Sequence, residues 1–333
     1  MSISVVLPIG PPPPYSPALL PVLETQRTCP TVETVKTFRT SQTPTGPETV
    51  LEAFPDMVHS QYTVTVPTTN DNTTDSHLAA LSIFQSNLST STPRPAVYYI
   101  HGGGQISGNR LGTLDTLMGY FTGIDIVVST IEYRLAPEYQ APAALDDSYA
   151  GLVWMADHAA ELNIDPARIM VMGISGGGPI AAGTAILAQR QRYPKVLAQM
   201  LLTPMLDDRL QTASSQQFAN SGPWCGATNQ MAWSNVLGSQ RGGINVSELV
   251  APSRATNLTG LPSTFIDVGG SEVFRDEAVA YASTLWRSGV PTELHVWEGG
   301  FHGFDVMGPD LEVSRAARAA KVSWIKRVLG ASE

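Results

Sequence analysis

The 333-residue sequence contains little cysteine, little positive charge and no long apolar run. Its two cysteines, Cys29 and Cys225, are too few for a disulfide framework. Twenty Lys and Arg against 29 Asp and Glu give a formal net charge of -9, and no basic cluster interrupts the acidic balance. A nucleic-acid surface is therefore not expected. No apolar stretch approaches the roughly 18 residues that a membrane-spanning helix needs, which excludes an integral membrane protein.

The amino terminus, MSISVVLPIG, also lacks the basic segment and continuous apolar run of a secretory signal. Together with the low cysteine content, this favours the reducing cytoplasm. The oligomeric state cannot be read from the pattern.

Proline and scattered apolar residues dominate the first 60 positions. The run IGPPPPYSPALLP removes backbone donors and favours polyproline II, which predicts an extended arm. Residues 31–60 suit short helices that pack onto another body. We therefore assign residues 1–60 to an amino-terminal arm with short helices that does not form an independent core.

Short β-rich runs alternate with amphipathic helical segments from residue 62 onward, which indicates an α/β fold with a mostly parallel sheet covered on both faces. The segment 207–254 departs from this alternation, because it is rich in Ser, Gln, Gly and Asn, with Trp224 and Trp233 as apolar anchors. It is predicted to be a helical insertion above the sheet, between two parts of the core, 61–206 and 255–333. The predicted strands are 62–66, 77–84, 96–100, 125–131, 168–172, 198–203, 264–268 and 293–297, and the predicted helices are 142–160, 177–192, 276–288 and 310–329.

One serine stands among glycines where a strand passes into a helix, in the stretch 173–177, GISGG. A nucleophile on such a turn has strained backbone, and the residues two before and two after it must be small. The alternative is a glycine turn for close helix packing, as in dinucleotide-binding folds. That fingerprint needs a glycine where Ser175 stands, and no phosphate-loop lysine follows. Ser175 is thus the candidate nucleophile.

A second glycine stretch, His101-Gly102-Gly103-Gly104, follows the third predicted strand. Glycines let backbone N–H groups approach the oxygen of a tetrahedral acyl intermediate, so the stretch suits an oxyanion loop. The alternative is a flexible turn.

The partners of such a serine would be a histidine and a carboxylate. His302 lies in a glycine-rich loop directly after the last predicted strand, whereas the other five histidines lie in less suitable places. Glu272 and Asp276 both follow the strand 264–268; we favour Glu272, because Asp276 opens a helix and Asp267 lies inside the strand. Each candidate follows a strand, so in a parallel sheet they meet at the carboxyl edge.

The motifs HGGG, YRLAPE, GISGGG, FRDE and HGF together resemble the hormone-sensitive-lipase-like esterases of the α/β-hydrolase superfamily, over roughly residues 96–329. The resemblance implies an α/β-hydrolase fold with an eight-stranded sheet and a helical cap, which residues 1–60 in part and residues 207–254 would form. It implies structural roles for Arg134 and Glu138. For the site it implies Ser175 as nucleophile, His302 as base and Glu272 as acid, with the amides of Gly103, Gly104 and Gly176 as the oxyanion hole.

Three positions depart from the usual family pattern. Ile174 stands where many relatives have an acid, Gln105 where they have an aromatic residue, and Glu272 where they have aspartate. The expected activity is hydrolysis of small-molecule carboxylic esters through an acyl-enzyme, without a metal or an organic cofactor. Acyl transfer to another acceptor and a non-catalytic ligand receptor remain alternatives.

Overall fold

A computed structural model describes residues 8–26, 29, 34–40, 45–67, 76–87 and 91–330. Its eight strands are β1 (Met57–Pro67), β2 (Ser76–Ser86), β3 (Arg94–Ile100), β4 (Val127–Ile131), β5 (Ile164–Ile174), β6 (Ala198–Leu202), β7 (Ser263–Gly269) and β8 (Thr292–Trp297). They form one sheet in the order β1-β2-β4-β3-β5-β6-β7-β8.

The sheet is antiparallel only at one edge. β1 pairs with β2 and β2 with β4 in antiparallel register, whereas all pairs from β4 through β3 to β8 are parallel. β3, β4 and β6 are buried along their whole length, as expected for strands covered on both faces. The predicted α/β architecture with a mostly parallel sheet is confirmed.

Helices cover both faces of this sheet. They are α1 (Leu20–Thr25), α2 (Val35–Thr40), α3 (Pro47–Ala53), α4 (Leu114–Met118), α5 (Ala143–Asp157), α6 (Gly177–Gln191), α7 (Ala213–Gln217), α8 (Gly226–Leu237), α9 (Arg275–Arg287), α10 (Phe304–Met307) and α11 (Glu312–Leu329). Single 3-10 turns lie at Pro17–Leu19, Gly119–Phe121, Gly238–Gln240 and Pro252–Arg254.

Two hydrophobic clusters, one on each face, hold the layers together. Along β3, Tyr98 joins the cluster with α5, α6, α8 and α9, while Val97 and Tyr99 join the cluster with α3, α4 and α11. Successive strand side chains point to opposite faces, so one strand supplies both cores. Together the clusters fix the sheet whose carboxyl edge carries the candidate site.

The proline-rich arm, residues 8–26, lies across the loops at that edge. The backbone N–H of Ser16 donates to the carbonyl of Gly299 at 3.0 Å, and the Ser271 hydroxyl donates to the carbonyl of Pro14 at 2.8 Å. The Tyr15 ring meets the Phe301 ring edge-on at 6.4 Å. The arm therefore touches the loops on either side of Glu272 and His302.

The two cysteines form a disulfide between Cys29 and Cys225, whose Cα atoms are 5.8 Å apart. The sequence analysis did not anticipate this bond, because a separation of 196 residues carries no pairing signal. The bond ties the amino-terminal region to the first residue before α8. Disulfides persist mainly in oxidising compartments, so the bond speaks against the cytoplasmic location, which stays a prediction. Within the described ranges, no helix is both long and apolar enough to cross a bilayer.

Candidate active site

Ser175 lies on a tight turn between β5 and α6. Its φ of +54° is in the left-handed region, which a residue with a side chain rarely occupies. Three backbone hydrogen bonds hold this geometry: the Ser175 amide donates to Leu202, and its carbonyl accepts from Gly178 and Met205. The turn thereby places the hydroxyl at the carboxyl edge of the sheet.

Glycine is required on both sides of this serine by direct contact. A Cβ on Gly173 would lie 2.4 Å from the carbonyl oxygen of Gly177, and a Cβ on Gly177 would lie 2.3 Å from that of Ile100. Real Cβ atoms do not approach so closely, so any larger residue would push the turn out of place. The glycines two residues before and two residues after Ser175 are thus required for the steric reason that the sequence predicted.

Ser175, His302 and Glu272 meet in one hydrogen-bonded chain. Ser175 Oγ lies 2.9 Å from His302 Nε2, and His302 Nδ1 lies 2.6 Å from Glu272 Oε2. The exposed fractions of the three residues are 7%, 8% and 2%, so the chain is shielded from water. The arrangement can move a proton from the hydroxyl to the imidazole while the carboxylate orients the ring.

The other two carboxylates considered in the sequence lie elsewhere. Asp276 accepts the backbone N–H of Ser214 at 2.7 Å and pairs with Arg275, which ties α9 to the segment 207–254. Asp267, inside β7, pairs with Lys321 of α11. Neither is a partner of the imidazole.

Thr203, which the sequence analysis missed, lies beside the acid. Its hydroxyl donates to Glu272 Oε1 and also lies 3.0 Å from His302 Nδ1. The backbone N–H of Gly269 donates to the same Oε1 at 2.9 Å. Both carboxylate oxygens of Glu272 therefore accept hydrogen bonds. Thr203 directly follows β6, whereas the predicted strand 198–203 included it, so no signal in the sequence indicated its place in the site.

A buried ion cluster lies behind the histidine loop. Lys321, 1% exposed, donates to Asp305 at 2.7 Å and to Asp267 at 2.5 Å. Burial by itself would lower the pKa of Lys321, but these two acids together raise it, so the ammonium group stays charged. The cluster joins α11 and β7 to the helix that begins two residues after His302. The ion cluster therefore anchors the end of the loop that carries His302.

The glycine loop, residues 102–107, packs directly on the serine turn. A Cβ on Gly176 would lie 2.4 Å from the Gly104 nitrogen, and one on Gly102 would lie 3.3 Å from Ser175 Cβ. Gly103 and Gly104 have φ of +97° and +62°, which only glycine adopts without strain. The amides of Gly103, Gly104 and Gly176 donate to no other group in the described part of the chain. The Gly104 and Gly176 backbones therefore lie in direct contact beside the serine turn.

His101 supports this loop from inside. Its ring stacks on Tyr133 with centroids 4.1 Å apart, and the Tyr133 hydroxyl donates to the His101 carbonyl at 2.9 Å. Burial lowers the pKa of His101 to about 4, so the ring is neutral at ordinary pH. His101 thus shapes the loop, as the sequence suggested.

The two residues expected to be structural are paired away from the serine. Arg134 makes a bidentate pair with the fully buried Asp147 at 2.8 Å. Glu138 pairs with Arg39 of α2 at 2.8 Å, and this hydrogen bond lowers the pKa of Glu138. Arg39 also donates to the carbonyls of Ile106 and Ala136, so the pair fastens α2 to the glycine loop.

Trp224 forms a wall above the site. Its indole lies against Gly104, since a Cβ there would be 2.4 Å from Trp224 Cη2, and its centroid lies 6.2 Å from that of His302. The Phe38 ring meets it edge-on at 5.7 Å. The sequence predicts Trp224 as an apolar anchor of the segment 207–254.

Comparisons with known proteins agree on the kind of fold. The family model described as alpha/beta hydrolase fold matches residues 97–306. Carboxylesterase NlhH of Mycobacterium tuberculosis is 33% identical over 71% of this chain and 75% of its own length. Esterase LipI of the same organism is 35% identical over 63% of this chain, and the alignment spans 65% of LipI.

Solved structures extend the similarity to nearly the whole chain. A bacterial heroin esterase superimposes with a TM-score of 0.83 at 30% identity, covering 95% of this chain and 98% of that one. Esterase LipW from Mycobacterium marinum gives a TM-score of 0.78 at 30% identity, with coverages of 96% and 98%. The similarity therefore includes the regions outside residues 97–306.

Proposed function

Because the chain belongs to the hormone-sensitive-lipase-like family of α/β hydrolases, we propose that it hydrolyses carboxylic esters of small molecules through an acyl-enzyme. Ser175 is the nucleophile, His302 the general base and Glu272 the residue that orients the imidazole. The observation that carries the proposal is the hydrogen-bonded chain from Ser175 Oγ through His302 to Glu272. The esterase names of several relatives support the same reaction class.

The first half of the reaction forms the acyl-enzyme. Ser175 Oγ attacks the ester carbonyl carbon while His302 Nε2 accepts the hydroxyl proton, which gives a tetrahedral oxyanion. Collapse of this intermediate breaks the bond to the alcohol oxygen, and the imidazolium returns its proton to the leaving alkoxide. Glu272 stabilises the imidazolium that exists between these two transfers.

The oxyanion is stabilised by the amides of Gly103, Gly104 and Gly176. These N–H groups have no competing acceptor among the described residues, so they need no rearrangement when the negative charge forms. α6 begins at Gly177, and its positive dipole end adds to the same stabilisation.

The second half releases the acid. Water attacks the acyl carbonyl while His302 Nε2 takes one of its protons, and the second tetrahedral intermediate expels Ser175 Oγ, which regains the proton. Each step uses the same base and the same oxyanion donors. No further group is needed to balance the reaction.

The test replaces the nucleophile. Ser175→Ala should lower kcat on p-nitrophenyl acetate by about a million-fold and abolish labelling by a fluorophosphonate probe. Ser129→Ala is the matched control, because Ser129 is also fully buried but lies within β4. Labelling that survives in Ser175→Ala would contradict the assignment. Product partition between water and added ethanol distinguishes hydrolysis from acyl transfer.

A further inference from the structure

Several buried polar atoms near the glycine loop have no hydrogen-bond partner among the described residues. They are Gln105 Nε2, Trp224 Nε1, Asn229 Nδ2, Asn229 Oδ1 and Trp233 Nε1. An unpaired buried polar group costs about 1 to 3 kcal/mol, and folded proteins keep few of them. Several within one loop and one short segment, 224–233, indicate that something other than the protein pairs with them.

The Trp224 indole turns the Cη2–Cζ2 edge of its six-membered ring to the loop, with these atoms 2.4 Å and 2.9 Å from a Cβ placed on Gly104. Its Nε1 lies on the adjacent edge, since Cζ2 is bonded to the ring carbon that carries Nε1. The same ring lies 6.2 Å from the His302 imidazole. The ring that carries the unpaired N–H therefore lies against both the glycine loop and the imidazole.

Asn229 lies on the face of α8 directed at the same loop. Ala232, one turn further along α8, has its Cβ 3.2 Å from a Cβ placed on Gly104, and residues three apart share a helix face. Asn229 is fully buried, and both of its amide atoms are unpaired within the described ranges. Asn235 on the same helix differs, because its amide donates to the Met231 carbonyl at 2.8 Å.

Gln105 completes the group from the loop side. It directly follows Gly104, is 4% exposed and has a φ of +61°. Its backbone carbonyl accepts from Ala136, but its side-chain Nε2 has no acceptor in the part of the chain that the structure describes. The three residues thus hold three unpaired N–H donors of two kinds, indole and amide, and one unpaired amide oxygen.

We propose that Gln105, Trp224 and Asn229 select esters that carry a hydrogen-bonding oxygen close to the scissile carbonyl. This inference rests on the proposed esterase function and names its substrate class: oxygenated esters, with a hydroxyl, ether or carbonyl oxygen, in preference to plain hydrocarbon esters. Such an oxygen accepts from the indole and amide N–H groups, whereas a methylene in the same place leaves them unpaired.

The test compares esters that differ by one atom. The acyl pair is p-nitrophenyl butyrate and p-nitrophenyl methoxyacetate, and the alcohol pair is butyl acetate and 2-methoxyethyl acetate. For each pair the selectivity is kcat/KM for the oxygenated ester divided by kcat/KM for the hydrocarbon ester. Changes of this ratio between variants are independent of the intrinsic reactivity of the esters.

Asn229→Leu should lower the selectivity in at least one pair by about ten-fold, whereas the matched variant Asn235→Leu should leave both ratios unchanged. Asn229→Leu should also raise Tm, because it removes a buried amide that no described protein group pairs with. If Asn229→Leu does not fold, Trp224→Phe removes the indole N–H together with the five-membered ring, keeps an aromatic ring at this position and should lower the same ratio.

Equal ratios in the wild type, Asn229→Leu and Trp224→Phe would overturn the inference while the esterase function stands. A lower Tm in Asn229→Leu with unchanged ratios would show that the amide is paired within the folded protein, which also overturns it. A wild type that cleaves none of the four esters would instead contradict the proposed function, and this inference with it.

Discussion

The carboxyl edge of the sheet differs from the wall above it, which Trp224 and Asn229 form, in how its buried polar atoms are hydrogen-bonded. At the edge, Ser175, His302 and Glu272 have their reacting atoms linked in one hydrogen-bonded chain, and Thr203 holds the outer carboxylate oxygen. In the wall, Trp224 and Asn229 bury polar atoms that nothing else in the described chain satisfies. The side chains of the proposed triad are therefore paired within the protein, whereas those of the wall are unpaired in the described part of the chain.

The physical reason is that the two regions have different tasks. Transition-state stabilisation requires groups that are already in place, because reorganisation during the reaction would raise the barrier. Recognition uses groups whose hydrogen bonds are completed only by the correct molecule, so the wrong molecule is penalised. Experiments that disturb one region without the other can therefore test the comparison.

The largest expected effect comes from adding a side chain at Gly176, where the serine turn contacts the glycine loop. Gly176→Ala places a Cβ 2.4 Å from the Gly104 nitrogen and must displace the oxyanion donors. We expect kcat to fall about 100-fold to 1000-fold with a smaller change in KM. Gly10→Ala is the control, since a Cβ there meets nothing within 4 Å. An unchanged kcat in Gly176→Ala would show that the loop is not the oxyanion site.

Removing the disulfide next to Trp224 should lower the stability of the protein. The bond joins residues 196 apart and so restricts the unfolded chain strongly; Cys29→Ser with Cys225→Ser should lower the free energy of unfolding by about 4 kcal/mol. Urea unfolding with and without dithiothreitol measures this. The reduced wild type should match the double variant, which should not respond to the reductant. A wild type that is insensitive to dithiothreitol would contradict the bond.

His101 should make the free energy of unfolding depend on pH in the acidic range. Its pKa is lowered to about 4 in the fold, so its contribution to stability is complete above pH 6.5 and is lost as the pH falls towards 4. The expected loss is about 3 kcal/mol. His101→Asn should have a flatter dependence of the urea midpoint on pH over this range. Identical slopes in the variant and the wild type would exclude His101 as the cause.

The smallest expected effect concerns the position of the acid. Thr203→Val removes the hydroxyl that donates to Glu272 and keeps the shape, so kcat should fall about 10-fold to 30-fold. Thr203→Ser, which keeps a hydroxyl, should restore kcat. A Thr203→Val variant with normal kcat would show that Gly269 alone holds the carboxylate.

Local pattern was enough to predict the order of the main elements. The predicted helix 177–192 corresponds to Gly177–Gln191, and the predicted strand 264–268 corresponds to Ser263–Gly269. The start of β5 was predicted less well. This strand begins at Ile164, four residues before the predicted start, where the register against β3 shifts. Such a shift depends on the neighbouring strand rather than on the residues of β5 themselves.

What the sequence determined by itself was the set of groups available for chemistry: a serine between glycines, a glycine loop, and a histidine and an acid that each follow a strand. These signals are local, because steric crowding and strand ends are set within a few residues. Only the tertiary structure decided that Thr203 holds Glu272, that Cys29 bonds to Cys225, and that Trp224 and Ala232 lie over Gly104. Those contacts join distant parts of the chain, and their energies exist only after the sheet and the insertion have packed together.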